Sequence, residues 1–203
     1  MLISRADKDR ISAVIAAVEQ KTCGEVFCVI ARQCGDYRTV PLVWAAALAL
    51  LLPLPLIALS SLPASWIYIA QLALFAVAAL ILSIPAIRFH IVPRRRMQQQ
   101  AHAEAVRQFL AQGLHKTENR TGVLIFASEA EHYAEVIADE GINAKVPQKV
   151  WDDAVSALIS GIAERRAADG FVAAIERCGA VLAQHFPPGA LNRNELPDKL
   201  IEI

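Results

Sequence analysis

The sequence has 203 residues, 55% of them hydrophobic, and its 20 basic side chains balance its 20 acidic ones. A globular domain is about 45–50% apolar, so a chain of this length, expected to hold one domain with an appendage, carries an apolar excess. Residues 39–87 account for it, because they contain no Asp, Glu, Lys, Arg or His. No basic patch with interleaved aromatic residues is present, which excludes the usual nucleic-acid-binding patterns.

The region before the apolar segment is predicted to form a helix and a strand. Residues 4–21 begin with a Ser4–Asp7 pair that resembles a capping box, and Gly24 marks the stop. The run Glu25–Ala31, EVFCVIA, is typical of a buried strand. It is followed by a loop at Gln33–Tyr37 that leads directly into the apolar segment. The inward face of the helix is predicted to hold Ile11, Val14, Ile15 and Val18.

The apolar segment is long enough for two membrane spans. A bilayer core takes roughly 20 helical residues to cross, so we place the spans near Pro41–Leu59 and Trp66–Ile87, with a turn at Ser60–Ser65. A pair of buried core helices is the alternative, but core helices of this length usually keep a polar face. The prolines expected to bend or end the spans are Pro53, Pro55 and Pro85.

The flanking charges predict the orientation. Arg88 and Arg94–Arg96 follow the second span, whereas the turn between the spans is uncharged. Short cytoplasmic segments carry the Lys/Arg excess, so we expect a multi-pass protein of the cell inner membrane with both termini in the cytoplasm. Residues 1–22 are polar and charged, and we expect no signal peptide. The predicted division is 1–39 and 90–203 for a split cytoplasmic domain and 40–89 for the transmembrane hairpin.

The remaining elements complete an α/β domain. We predict a helix over 97–114, a pair of antiparallel strands at Gly122–Ala127 and Tyr133–Asp139, and helices beginning near Pro147 and Asp169. A strand, a crossover helix and a second strand favour parallel pairing of the first two strands. The predicted fold is therefore a small mixed sheet with helices on both faces, interrupted by the transmembrane hairpin, with the C-terminal tail along its surface. Inward-facing residues on the three helices are predicted to be Ala105, Val106, Phe109 and Leu110, then Trp151, Val155, Leu158 and Ile162, then Phe171, Ile175, Cys178 and Leu182.

Three segments together resemble the TPM domain family in its membrane-inserted bacterial branch. They are FLAQGLHKTENRTGVLIFASEAEHYAEVIADEGI, VPQKVWDDAV and ADGFVAAIERCGAVLAQHFPP, and the likeness covers about 22–38 and 97–188. The resemblance implies an α/β/α domain. It also implies that some members bind divalent cations in a cleft between the loops after the first and third strands. Some members are described as acid phosphatases, and others act through protein partners in membrane-protein repair or assembly.

The resemblance directs attention to three acidic residues. Asp36 lies in the loop after the first strand, Asp139 ends the third strand, and Glu140 opens the loop that follows it. As a hypothesis, these carboxylates hold Ca²⁺ or Mg²⁺, which prefer hard oxygen ligands. The alternative is that they are solvated carboxylates in ordinary turns.

Other chemistry is poorly represented in the sequence. The five histidines lack the HExxH spacing of zinc hydrolases, and no GxSxG, P-loop or GxGxxG motif appears. The cysteines at 23, 28, 34 and 178 lack CxxC spacing and are predicted to be free thiols.

These patterns leave three functions open. The first is a membrane-anchored interaction or scaffold module, working in the lipid bilayer with other membrane proteins in their assembly or quality control. The second is a divalent-metal-dependent phosphatase. The third is a hairpin protein that forms a homo-oligomer through its spans, which carry small residues suited to close helix contact.

Overall fold

In the computed structural model, which describes residues 3–188 and 194–203, the chain forms two units. The α/β unit comprises residues 1–34 and 98–203, and the apolar unit comprises residues 35–97. The apolar unit is thus an insertion between the first strand and the rest of the α/β unit.

The predicted helices and strands occur in the predicted order, and the structure adds short elements at Pro85–Ile91, Glu140–Asn143 and Leu200–Glu202 that were not predicted. The elements are α1 (Arg5–Glu19), β1 (Glu25–Ala31), α2 (Thr39–Leu51), α3 (Pro53–Leu59), α4 (Ala64–Leu82), α5 (Pro85–Ile91), α6 (Arg94–Ala111), a 3₁₀ turn (Leu114–Lys116), β2 (Gly122–Ser128), β3 (Tyr133–Ala138), α7 (Glu140–Asn143), α8 (Gln148–Ala163), α9 (Ala167–His185) and β4 (Leu200–Glu202).

The sheet of the α/β unit is mixed, with the order β3-β2-β1-β4. β1 pairs with β2 in parallel from Glu25 opposite Gly122 to Ala31 opposite Ser128, and β3 pairs with β2 antiparallel, so both predicted pairings are confirmed. The fourth strand was not predicted. The C-terminal segment, expected only to lie along the surface, pairs parallel to β1 at Leu200–Glu202.

Helices cover both faces of the sheet, as predicted. On one face, α1, α8 and α9 pack against side chains such as Cys28 and Ile125. On the other face, α6 packs against Phe27 and Phe126. Every residue of β1 and β2 is buried, which is the pattern of strands covered on both sides. The inward residues predicted for α9, namely Phe171, Ile175, Cys178 and Leu182, are all fully buried.

The predicted inward face of α6 is partly wrong. Ala105 and Phe109 are buried, but Val106 and Leu110 are 37% and 52% exposed. The contact row of α6 runs through Ala101, Ala105 and Phe109, which are spaced four residues apart and so share one side of a helix. Ala101 and Ala105 share a buried cluster with Phe27 and Phe126 of the strands.

The apolar unit contains two helical segments that are long and apolar enough to cross a membrane, Thr39–Leu59 and Ala64–Leu82. Within the unit α2 packs against α4. The first segment is interrupted at Leu52, directly before Pro53. Pro85 occupies the first turn of α5 rather than the end of α4, because a proline is accommodated where no backbone N–H is required.

Candidate functional site

Asp139 is a helix cap as well as a predicted metal ligand. It is 7% exposed, and its Oδ1 accepts the Glu140 N–H at 2.7 Å, which caps the short helix α7. The same oxygen lies 3.7 Å from Arg120 Nη1. Glu140 itself is exposed. The bond between the Asp139 carboxylate and the neighbouring N–H satisfies one of the donors that a helix start leaves without a partner.

The turn around Asp139 is closely packed. The Asp139 N–H donates to the Gly122 carbonyl at 2.9 Å. Arg120 adopts a left-handed backbone with φ 54°. A Cβ on Gly141 would lie 2.7 Å from the Arg120 carbonyl oxygen, so this approach requires glycine. The second carboxylate oxygen, Asp139 Oδ2, is buried and accepts no hydrogen bond from the described residues. This oxygen is a potential acceptor for water or a cation.

Asp36 has a different setting. It belongs to the apolar unit, is exposed, and accepts the Arg38 N–H at 3.1 Å within its own loop. Across residues 3–188 and 194–203, no three or more His, Cys, Asp or Glu side chains form a group that could hold a metal ion. The Ca²⁺ or Mg²⁺ site of Asp36, Asp139 and Glu140 stays a prediction.

The sheet topology defines the position of Asp139 in the α/β unit. β3 runs antiparallel to β2, and Ala138 is paired with Val123. Asp139 therefore lies where β1 and β2 begin. The chain leaves β1 at the opposite end, where Ala31 pairs with Ser128.

A buried carboxylate at that opposite end was not identified from the sequence. Glu131 is 6% exposed; its Oε1 accepts the Cys34 N–H at 2.9 Å and its Oε2 accepts the Ser128 hydroxyl. This arrangement ties the loop after β1 to the β2–β3 turn. Burial, with smaller contributions from the neighbouring carboxylates, raises the pKa of the Cys34 thiol to about 12. The thiol is protonated at neutral pH, and a protonated thiol is a poor nucleophile.

A second group of carboxylates lies where the parallel strands begin. Glu19 Oε1 accepts the Val26 N–H at 2.8 Å, and Asp198 is hydrogen-bonded to the same side chain. Burial is the largest cause that raises the pKa of Glu19 to about 9. Glu25 accepts the N–H groups of Glu195 and Leu196 at 3.1 and 3.2 Å, and burial raises its pKa as well. These carboxylates hold the C-terminal segment against the strands.

A third cluster joins α6 to the edge strand β3. His102 Nδ1 lies 2.9 Å from Glu135 Oε2, which also accepts the Tyr133 hydroxyl at 3.0 Å. Burial is the main reason that the pKa of Tyr133 is raised, and the Glu135 charge adds to it. A sequence signal for these clusters is weak, because their members are separated by up to 179 positions along the chain.

Comparison with known proteins finds one family model that matches the second half of the chain. Residues 85–181 match the family model described as the TPM domain. This part of the chain is similar to the TPM domain family. The matched range includes Asp139 and Glu140, whereas Asp36, β1 and the segments Thr39–Leu59 and Ala64–Leu82 lie outside it.

A solved structure has the same fold. The NMR structure of the BA42 protein from the psychrophilic bacterium Bizionia argentinensis superimposes with a TM-score of 0.62 and 16% identity. The alignment covers 99% of this chain and 95% of that one. At this identity the likeness concerns the fold alone. The comparison with curated proteins gave no match.

Proposed function

We propose that this chain is a membrane-anchored TPM domain whose α/β unit is an interaction or scaffold module for other membrane proteins, in their assembly or quality control. The observation that carries the proposal is the uncovered apolar surface of the inserted unit. Only 11% and 6% of the apolar windows in Thr39–Leu59 and Ala64–Leu82 are buried. Large exposed side chains in this unit include Val43, Leu50, Leu54, Ile57, Leu59, Trp66 and Leu80.

A lipid bilayer is the environment that suits this surface. Each Å² of apolar surface removed from water contributes about 25 cal/mol, and soluble proteins rarely expose apolar patches larger than a few hundred Å². Arg88 and Arg94–Arg96 follow the second helix. The preference of cytoplasmic segments for arginine supports a multi-pass inner-membrane protein with both termini in the cytoplasm.

The internal bonding of the α/β unit favours an interaction role over catalysis. Burial raises the pKa of the Cys34 thiol to about 12. This potential nucleophile in the loop after β1 is therefore protonated at neutral pH and not activated. The α/β unit carries 15 basic and 19 acidic side chains, a net charge of −4, which suits contact with basic partners.

Membrane insertion is tested with paired arginine substitutions. Leu48 and Leu72 are exposed in α2 and α4, and Leu110 is exposed to a similar degree in α6. An arginine at the centre of a span costs about 2.5–3.5 kcal/mol, so Leu48→Arg with Leu72→Arg should release the chain from membranes washed with alkaline carbonate. The control variant Leu110→Arg should remain in the washed membranes. Release of the wild type by the wash, or protease-accessible tags on opposite sides at the two termini, would contradict the proposal.

The interaction role is tested by crosslinking in cells. A photo-crosslinking amino acid at the exposed position Lys149 of the full chain should capture specific membrane proteins. The same photo-crosslinking amino acid at position 149 of the Leu48→Arg, Leu72→Arg variant, which is released from the membrane, should not capture them. Recovery of the chain alone would argue against the scaffold role, and recovery of its own dimer would favour the homo-oligomer.

A divalent-metal-dependent phosphatase is the second candidate, and the buried Asp139 Oδ2 without a described donor is the observation that favours it. A bound cation would polarise a phosphoryl oxygen. The wild type should then give binding heat in calorimetric titrations with Ca²⁺ and Mg²⁺ and should hydrolyse a generic phosphate ester. Asp139→Asn, which keeps an oxygen to cap α7, should lose both the binding heat and the hydrolysis. Absence of binding heat up to millimolar concentrations would remove the site.

A further inference from the structure

The two ends of the apolar segment are fixed to each other by a small aromatic core within the apolar unit. The Tyr37 ring, 1% exposed, packs edge-on against Phe89 of α5 with ring centroids 5.9 Å apart. Val92 and Met97 are buried in the same cluster. The chain immediately before α2 and the short helix after α4 are therefore held together.

This core brings five arginines to one end of the unit. They are Arg38, Arg88 and Arg94–Arg96, and we call them the arginine collar. The guanidinium carbon of Arg88 lies 5.2 Å from the Phe89 ring centroid. The other four arginines are exposed. Because Arg38 directly follows Tyr37 and Arg88 directly precedes Phe89, the ring pair fixes the spacing between arginines separated by 50 positions in sequence.

The collar is largely uncompensated by acids. The apolar unit has a single acidic residue, Asp36, so its net charge is +4. Asp36 lies 3.7 Å from Arg38 Nε, with both side chains more than 70% exposed. In the described part of the chain, Arg88 and Arg94–Arg96 form no ion pair, and the buried Arg88 Nε has no hydrogen-bond partner.

We propose that the arginine collar is a binding surface for the headgroups of anionic phospholipids. The inference rests on the proposed insertion of the apolar helices, because insertion places the collar at the membrane surface. Guanidinium groups donate paired hydrogen bonds to phosphate oxygens, and a juxtamembrane arginine near an anionic leaflet gains about 1 kcal/mol, which corresponds to about fivefold in affinity. Continuity with two apolar helices favours lipid over nucleic acid, whose backbone offers charge without an apolar phase.

The test uses the full chain in mild detergent, titrated with phosphatidylglycerol or phosphatidylcholine while bound lipids are counted by native mass spectrometry. The wild type should bind phosphatidylglycerol at a lipid concentration at least about tenfold lower than it needs for phosphatidylcholine. Arg94→Gln, Arg95→Gln, Arg96→Gln together should lose most of that preference. The matched control removes three exposed positive charges from the α/β unit, at Lys21, Lys116 and Lys149, and should keep the preference.

The outcomes separate the two proposals. Equal binding of both lipids by the wild type, or a preference that survives the triple arginine substitution or disappears in the lysine control, overturns the collar assignment. Displacement of phosphatidylglycerol by a short DNA duplex would indicate a general polyanion surface and would also overturn it. Insertion into vesicles, measured separately by flotation with phosphatidylcholine alone, tests the proposed membrane anchoring; failure there overturns both inferences.

Discussion

Glu19 provides the sharpest test of the carboxylate cluster at the start of the strands. The side chain is 7% exposed, its Oε1 accepts the Val26 N–H, and Asp198 lies beside it. Burial, the largest cause, and the nearby carboxylates raise its pKa from 4.5 to about 9. The folded protein therefore binds a proton that the unfolded chain releases. Glu19→Gln should reproduce the protonated side chain at every pH, because the amide oxygen still accepts the Val26 N–H.

The sign and size of the effect follow from proton linkage. The folded-state pKa lies above the unfolded one, so the contribution of Glu19 to stability is fully present below pH 4.5 and is lost as pH rises towards 9. Each pH unit in that window corresponds to about 1.4 kcal/mol. At pH 7 the wild type should be less stable than Glu19→Gln by roughly 3 kcal/mol relative to the difference at pH 4.5.

The buried thiols of Cys28 and Cys178, both fully buried, provide the assay. A pyridyl disulfide reagent reaches them only when the α/β unit opens, and the ratio of wild-type to variant labelling rates at one pH cancels the titration of the thiols themselves. From pH 5.5 to pH 7.5 this ratio should rise about 100-fold. The control Glu176→Gln, on the exposed face of α9, should leave the ratio near one. A ratio for Glu19→Gln that does not change with pH would refute the reasoning.

Three further substitutions test the packing and the caps. A Cβ on Gly161 would lie 2.5 Å from the Gly170 Cα, so Gly161→Ala should destabilise the α/β unit by about 1–3 kcal/mol and speed thiol labelling, whereas the neighbouring Ser160→Ala should not. Glu25→Ala removes the acceptor of two backbone N–H groups of the C-terminal segment; the amides of β4 should exchange with solvent about tenfold faster or more, and unchanged protection would exclude this tether. Asp139→Ala removes the cap of α7 and should cost about 1 kcal/mol in denaturant unfolding, while Asp139→Asn should cost less; equal losses would show that the charge, and not the cap, matters.

The contacts of Asp139 depend on residues that are distant from it in the sequence. Asp139 was recognised as the end of a strand followed by a turn, and the structure makes it the cap of α7. Its pairing with Arg120 and its buried Oδ2 depend on the left-handed turn at Arg120 and on Gly141, which let the two loops approach. No periodic pattern in the sequence predicts the Asp139–Arg120 pairing or the burial of Asp139 Oδ2. The same is true of Glu131, whose partners Cys34 and Ser128 meet only when β1 and β2 pair.

Local patterns in the sequence were sufficient for the long helices α1, α6, α8 and α9, the first three strands and the two apolar segments, but not for the short helices α5 and α7. An amphipathic helix repeats its apolar residues every three to four positions and a buried strand is continuously apolar, so Ile11 and Ile15 in α1, and the residues of β1, could be assigned without neighbours. The parallel pairing of β1 with β2 followed from the handed crossover between them. These inferences use interactions within a segment or between consecutive segments.

Only the tertiary structure decided the strand β4, the outward direction of Val106 and Leu110, and the burial of Glu19 and Glu131. A three-residue strand has too little pattern of its own, and it forms because β1 offers an open edge at Cys28–Ile30. The inward face of α6 carries Ala101, Ala105 and Phe109, which pack in one cluster with Phe27 and Phe126. A carboxylate becomes buried when donors from distant segments replace its water, and the positions of those donors are a property of the folded chain.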